Sequence, residues 1–251
     1  MKLTELLKEG MYDKLVGQIN KDVFKTMKAA MAGSGTQDKP KKFKGYDVRK
    51  SLKPNTKIGD VLKADRKTIY VGEYSDEVSG LDMEVELKFA VTDGIPKDSY
   101  WIDGAAEADE EFPSIEIEIG INPEDGESMF SELQPILRDL VRHEIEHITH
   151  GNKSAGAKQS KVMRSDTAMR VKIRQNPELF YKYFLLPKEV DANIHGLYSK
   201  AKTMKKPYQQ VVDSYLDSLV KDGIVTQKNR DLIYKTWKQR IPKIGGIPNL
   251  K

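Results

Sequence analysis

The sequence predicts an α+β protein, a small β-sheet followed by long helices, and three observations carry that expectation. Apolar and polar residues alternate in several short segments between 68 and 121, the mark of half-buried strands. The turn-rich run Asn122-Pro123-Glu124-Asp125-Gly126 then ends the alternation. Beyond it, and again before residue 31, apolar residues recur at three- and four-residue spacing, as on one face of a helix.

Taken in order, Leu3, Leu6, Leu7, Met11, Leu15, Ile19 and Phe24 predict a helix over 3–31, and residues 32–42 have linker composition. Strands are expected at 68–71, 83–89 and 114–121, with a short one at 100–102. The segment 114–121 is the cleanest, placing Ile115, Ile117, Ile119 and Ile121 on one face. A helix over 128–150 follows, kinked or delayed by Pro135 and stopped near Gly151. Pro187 suits the first position of a second helix reaching about 203. Residues 208–220 and 228–240 read as two more amphipathic helices. The organisation expected is a basic helical arm and linker (1–55), a core (56–204) and a C-terminal helical subdomain (205–251).

Composition narrows the function classes. The absence of cysteine excludes disulfides and thiolate metal ligands, so a metal site must use His, Asp and Glu. No apolar run approaches a membrane span, and acids and lysines fill the opening residues where a signal peptide needs apolar ones, so a cytoplasmic protein is expected. Charge is uneven: 13 basic against 6 acidic residues in 1–55, but 7 against 22 in 56–140. Such ends and middle suit solvated faces or docking to a protein partner. No recognition motif accompanies the charge, which argues against nucleic acid as the partner.

The strongest chemical signal is His143-Glu144-Ile145-Glu146-His147. The chain has four histidines (143, 147, 150 and 195), three of them within eight residues. At about 100° per residue, His143 and His147 lie about 40° apart on one helix face, and Glu144 falls between them and an apolar arc of Leu137, Val141, Ile145 and Ile148. Two imidazoles four apart with a carboxylate beside the first make a Zn²⁺ site with its own general base. Partial shielding from water raises the basicity of such a carboxylate. Glu146 points elsewhere and reads as a solvated ion pair with Arg142. His150, about 10 Å along the axis from His143, is too far to share one metal with the other two.

A catalytic zinc needs a third protein ligand. Glu189, in the first turn of the second helix, is the choice, with Asp191 and His195 as competitors. Asn193, one turn on, is placed to orient a ligand histidine.

His143-Glu144-x-x-His147 followed by Glu189-Val190-Asp191-Ala192-Asn193 resembles the gluzincin branch of the zincin metallopeptidases. In that branch a Glu on a second helix completes the site, a small residue follows three positions later, and an Asp often follows at four. Ala192 matches the small residue, whereas Asn193 stands where the Asp is usual. The metzincin pattern needs Gly at 150 and His at 153, and the chain has His150 and Lys153. The run 184–192 is also similar to small phage-encoded zincin-like proteins.

The resemblance implies a zincin-like fold: a small mixed β-sheet, the motif helix and a second ligand helix. It implies a zinc-dependent endopeptidase that hydrolyses peptide bonds through a metal-activated water with Glu144 as general base. Its substrate is a protein or peptide, bound by strand addition to an edge strand, for which 114–121 is the candidate. The oxyanion donor is left open among His195, Tyr181, Tyr183, Tyr198 and Tyr208. The alternative is a weakly active or inactive zincin-fold assembly protein, such as a virion component, docking partners through its charged surfaces.

Overall fold

The computed structural model describes residues 12–31, 67–76, 80–91, 94–107, 113–152, 169, 172–173, 176–244 and 246–251. The chain is mixed α+β and forms two compact units, Leu15–Val141 and a second that joins the segment up to Lys14 to Arg142–Lys251. The boundary falls inside the motif helix. The expected linker over 32–42 and the start of the first helix lie outside the described residues.

In the first unit, α1 (Asp13–Met31) turns Val16, Ile19, Val23 and Met27 inward, all fully buried at helical spacing. Four strands follow: β1 (Lys67–Asp76), β2 (Leu81–Val91), β3 (Tyr100–Glu107) and β4 (Ser114–Ile121). Their order across the sheet is β1-β2-β4-β3. β2 and β4 run parallel and the other pairs antiparallel, so the sheet is mixed. The β1–β2 hairpin closes through Gly80, whose φ of +64° suits a residue without a Cβ.

Register brings like with like on the buried face. Val85, Leu87 and Phe89 of β2 lie beside Ile115, Ile117 and Ile119 of β4, and all six are buried. On the other face Lys88 pairs with Glu116. The four isoleucines are therefore core residues, as their alternation requires. The strand role expected of 114–121 is corrected: β4 is bonded on both sides, and the edges are β1 and β3. Alternation reports which face is buried, and it carries no information about lateral neighbours.

Gly104 of β3 sits where a Cβ would lie 2.8 Å from Leu140 Cδ1, so a glycine admits the helix this close to the strand. The turn after β4 is built by Asn122, whose Nδ2 donates to the Ile95 carbonyl at 2.5 Å while its Oδ1 accepts from the Glu124 N–H at 2.8 Å. A 3₁₀ turn (Gly126–Met129) leads into α2 (Phe130–Asn152). The helix runs through Pro135 and ends at Asn152, beside Gly151. Leu137, Val141, Ile145 and Ile148 are fully buried, as the helical wheel requires.

In the second unit, a 3₁₀ segment (Pro177–Leu185) that periodicity does not indicate precedes α3 (Pro187–Met204), α4 (Tyr208–Lys221) and α5 (Gln227–Ile244). Ile194 and Leu197 of α3, Val212 and Leu216 of α4, and Ile233 and Trp237 of α5 belong to one core. The helices of 205–251 thus share a hydrophobic core with α3. Among the described residues no helix is long and apolar enough to cross a membrane.

Candidate metal centre

His143 and His147 project from consecutive turns of α2, and Glu189 occupies the third position of α3, after Pro187 at the first. The three side chains converge. His143 Nε2 lies 3.0 Å from His147 Nε2, and the two nitrogens lie 3.4 and 3.5 Å from Glu189 Oε2 and Oε1 respectively. The imidazoles meet edge to face with centroids 4.7 Å apart. Ligands at zinc bond lengths in tetrahedral geometry stand about 3.3 Å from one another. The observed spacings are close to that, although the two nitrogens face different oxygens of the Glu189 carboxylate; one ligand atom from each residue lies within 4.8 Å of the others, a group able to hold one ion. Among the described residues this is the one group of His, Asp and Glu with metal-ligand spacing.

Exposure differs within the set. The histidine side chains are 16% and 18% accessible, and Glu189 is fully buried. Burial opposes the ionised form of Glu189. The polar contacts of His143 and His147, the charge of His147 and the Tyr183 hydroxyl outweigh that, and they hold its carboxyl well below the usual carboxylate range. The result is an ionised carboxylate facing two imidazoles, and a bound cation would take the place of the imidazole protons. Glu144, one residue after His143, is buried on the same helix.

The structure sorts the remaining candidates. Asn193 does not support a histidine: its Nδ2 donates to the backbone carbonyl of Glu189 at 2.7 Å, so it braces the turn that carries Glu189. Asp191 is gripped by Arg240, Nε to Oδ1 and Nη2 to Oδ2, both at 2.6 Å, and stands apart from the metal group.

His195 also lies outside that group. Its Nδ1 is 3.1 Å from Arg142 Nη2 and its Nε2 is 3.5 Å from Glu146 Oε1. Because Arg142 can only donate, Nδ1 accepts and the proton sits on Nε2. Arg142 and Glu146 are paired at 2.5 Å, as their spacing predicts, but their side chains are only 4% and 9% accessible, so the pair is buried rather than solvated. The wheel places these residues away from the histidines, and α3 covers that side of the helix through His195. A helical wheel cannot foresee a covering element. The His150 side chain lies outside the described residues.

Of the tyrosines, Tyr183 reaches the site through Glu189. Its ring stacks on Phe180 at 5.9 Å and meets Phe184 edge-on at 5.7 Å. The Phe184 carbonyl accepts from Trp237 Nε1 at 3.0 Å, which ties the 3₁₀ segment to α5. Tyr208 instead donates to the Ile194 carbonyl, and Tyr198 packs edge-on against Tyr208. The only sequence signal for Tyr183 is its place in an aromatic run, Phe180-Tyr181-Lys182-Tyr183-Phe184.

Comparison with protein-family models, with curated proteins and with solved structures gives no match to this chain. The site's own geometry is therefore the basis for a functional reading.

Proposed function

We propose that this chain is a zinc-dependent endopeptidase with a zincin-like site, in which His143, His147 and Glu189 hold the metal and Glu144 is the general base. One observation carries the reading: His143, His147 and Glu189, from two helices, each offer a ligand-type atom within 4.8 Å of the other two, with the two imidazole nitrogens 3.0 Å apart and each within 3.5 Å of one oxygen of the Glu189 carboxylate. Two imidazole nitrogens and a carboxylate suit zinc better than calcium or magnesium, which prefer all-oxygen sets.

Zinc in such a setting supplies Lewis acidity, polarising a carbonyl and lowering the pKa of water. The residues do the rest. As metal ligands His143 and His147 would bind as neutral imidazoles and Glu189 would bring one negative charge, which would leave a divalent ion net positive. Glu144 accepts the proton of the attacking water and returns it to the leaving amine. Tyr183 and Asn193 fix the Glu189 carboxylate and its backbone. The substrate class is a protein or peptide chain.

The test is hydrolysis of an unstructured protein by the wild type and by Glu144→Gln. The variant should keep its metal and lose activity by about 10²-fold or more. Equal turnover in the two proteins would contradict the assignment of Glu144. Stoichiometric metal with no hydrolysis by the wild type would instead make the centre a structural one.

A further inference from the structure

The sheet-bearing unit contains a second site, independent of the metal reading. A cavity of about 400 Å³ is lined by Lys21, Lys25 and Lys28 of α1 and by Arg138 of α2, and among the described residues no acidic side chain shares the lining. The three lysines follow i, i+4, i+7 spacing, which stacks like charges on one helix face and disfavours the helix unless an anion offsets them. Among the described residues Lys21, Lys25 and Arg138 have no ion-pair partner, and Arg138 Nε is buried without a hydrogen bond.

A second observation defines the ligand further. Asn20, 4% exposed, also lines the cavity. Its Nδ2 is committed to the Gln134 carbonyl at 3.4 Å, which leaves Oδ1 as a buried acceptor with no partner among the described residues. An acceptor among cations is unsuited to a bare polyanion, which offers no donor at neutral pH. It suits an anion that carries a hydroxyl or amino group. Phe24 adds an aromatic wall, and the volume falls in the range of small-molecule sites, well above the size of an isolated phosphate.

We propose that this cavity binds a nucleoside phosphate. The phosphate lies against Lys21, Lys25 and Arg138, a ribose hydroxyl or base amino group donates to Asn20 Oδ1, and the base packs on Phe24. A free nucleotide and the terminal nucleotide of a strand present the same chemistry.

The experiment is calorimetric titration of the full chain with adenosine monophosphate, adenosine, inorganic phosphate and a short single-stranded oligonucleotide. Adenosine monophosphate should bind at one site, at least about tenfold tighter than phosphate or adenosine, and more weakly as salt rises. Lys21 and Lys25 are exposed, so the double variant Lys21→Glu/Lys25→Glu should keep the wild-type thermal midpoint and lose about tenfold or more in affinity. Tighter binding of the oligonucleotide, in competition with the mononucleotide, identifies a strand end as the source; weaker binding identifies the free nucleotide. Adenosine monophosphate binding no tighter than phosphate, or undiminished in the folded double variant, overturns the proposal.

Discussion

Asn193 donates its side-chain amide to the backbone carbonyl of Glu189 at 2.7 Å, one helical turn back. The bond stiffens the first turn of α3, where no side chain caps the helix because Leu186 occupies the cap position. Asn193→Ala should therefore loosen the carrier of the third ligand. About a tenfold loss of zinc affinity is expected, within the range for groups that orient metal ligands. Competition with a chromophoric chelator measures it, and unchanged affinity would assign Asn193 to folding alone.

Tyr183→Phe removes the hydroxyl that bonds Glu189 and keeps the ring between Phe180 and Phe184. Stability should change by about 1 kcal/mol, the net worth of one hydrogen bond. Zinc affinity should fall by about tenfold or more, because the carboxylate loses one of its fixed partners. Chemical denaturation and chelator competition, run on the same preparation, separate the two effects.

Breaking a buried ion pair costs more than removing it whole. Glu146→Ala leaves Arg142 buried beside His195 with its charge uncompensated, and a loss of about 3–5 kcal/mol is expected. Glu146→Gln keeps an acceptor for Arg142 and should cost less. In urea unfolding the alanine variant should have the lower midpoint; the reverse order would show that the pair is not a unit of the fold.

At Gly104, an added methyl meets Leu140 Cδ1 at 2.8 Å and Cγ at 3.0 Å. Gly104→Ala should destabilise the sheet-bearing unit by about 1–3 kcal/mol through overpacking. Leu140→Ala in the same chain should recover part of that loss, because it removes the opposing atoms. No recovery would mean that the clash is relieved elsewhere.

Much of this was legible in the sequence because its periodicities are clean. Alternation locates β2, β4 and part of β1, while only the first three residues of β3 are expected, and the helical wheel places His143 and His147 beside the buried arc Leu137-Val141-Ile145-Ile148. Pro187 also fixes where α3 begins, so the sequence places Glu189 in its first turn, and the structure brings that residue beside the two histidines. What escaped depends on contacts distant in sequence. Arg240 reaches Asp191 across 49 residues and Arg142 reaches His195 across 53, and no spacing rule announces either. The position of β4 inside the sheet escaped for a related reason, since strand order is decided by pairing rather than by any strand's own pattern.

The most direct measurement is metal content by elemental analysis of protein purified from zinc-containing medium, for the wild type, Glu189→Ala and His195→Ala. The wild type and His195→Ala should each carry about one zinc per chain, because His195 is bound to Arg142 and Glu146 rather than to the site. Glu189→Ala should lose most of it, since two ligands remain where three are needed. A wild type without zinc, or a Glu189→Ala protein that retains it in full, would contradict the account.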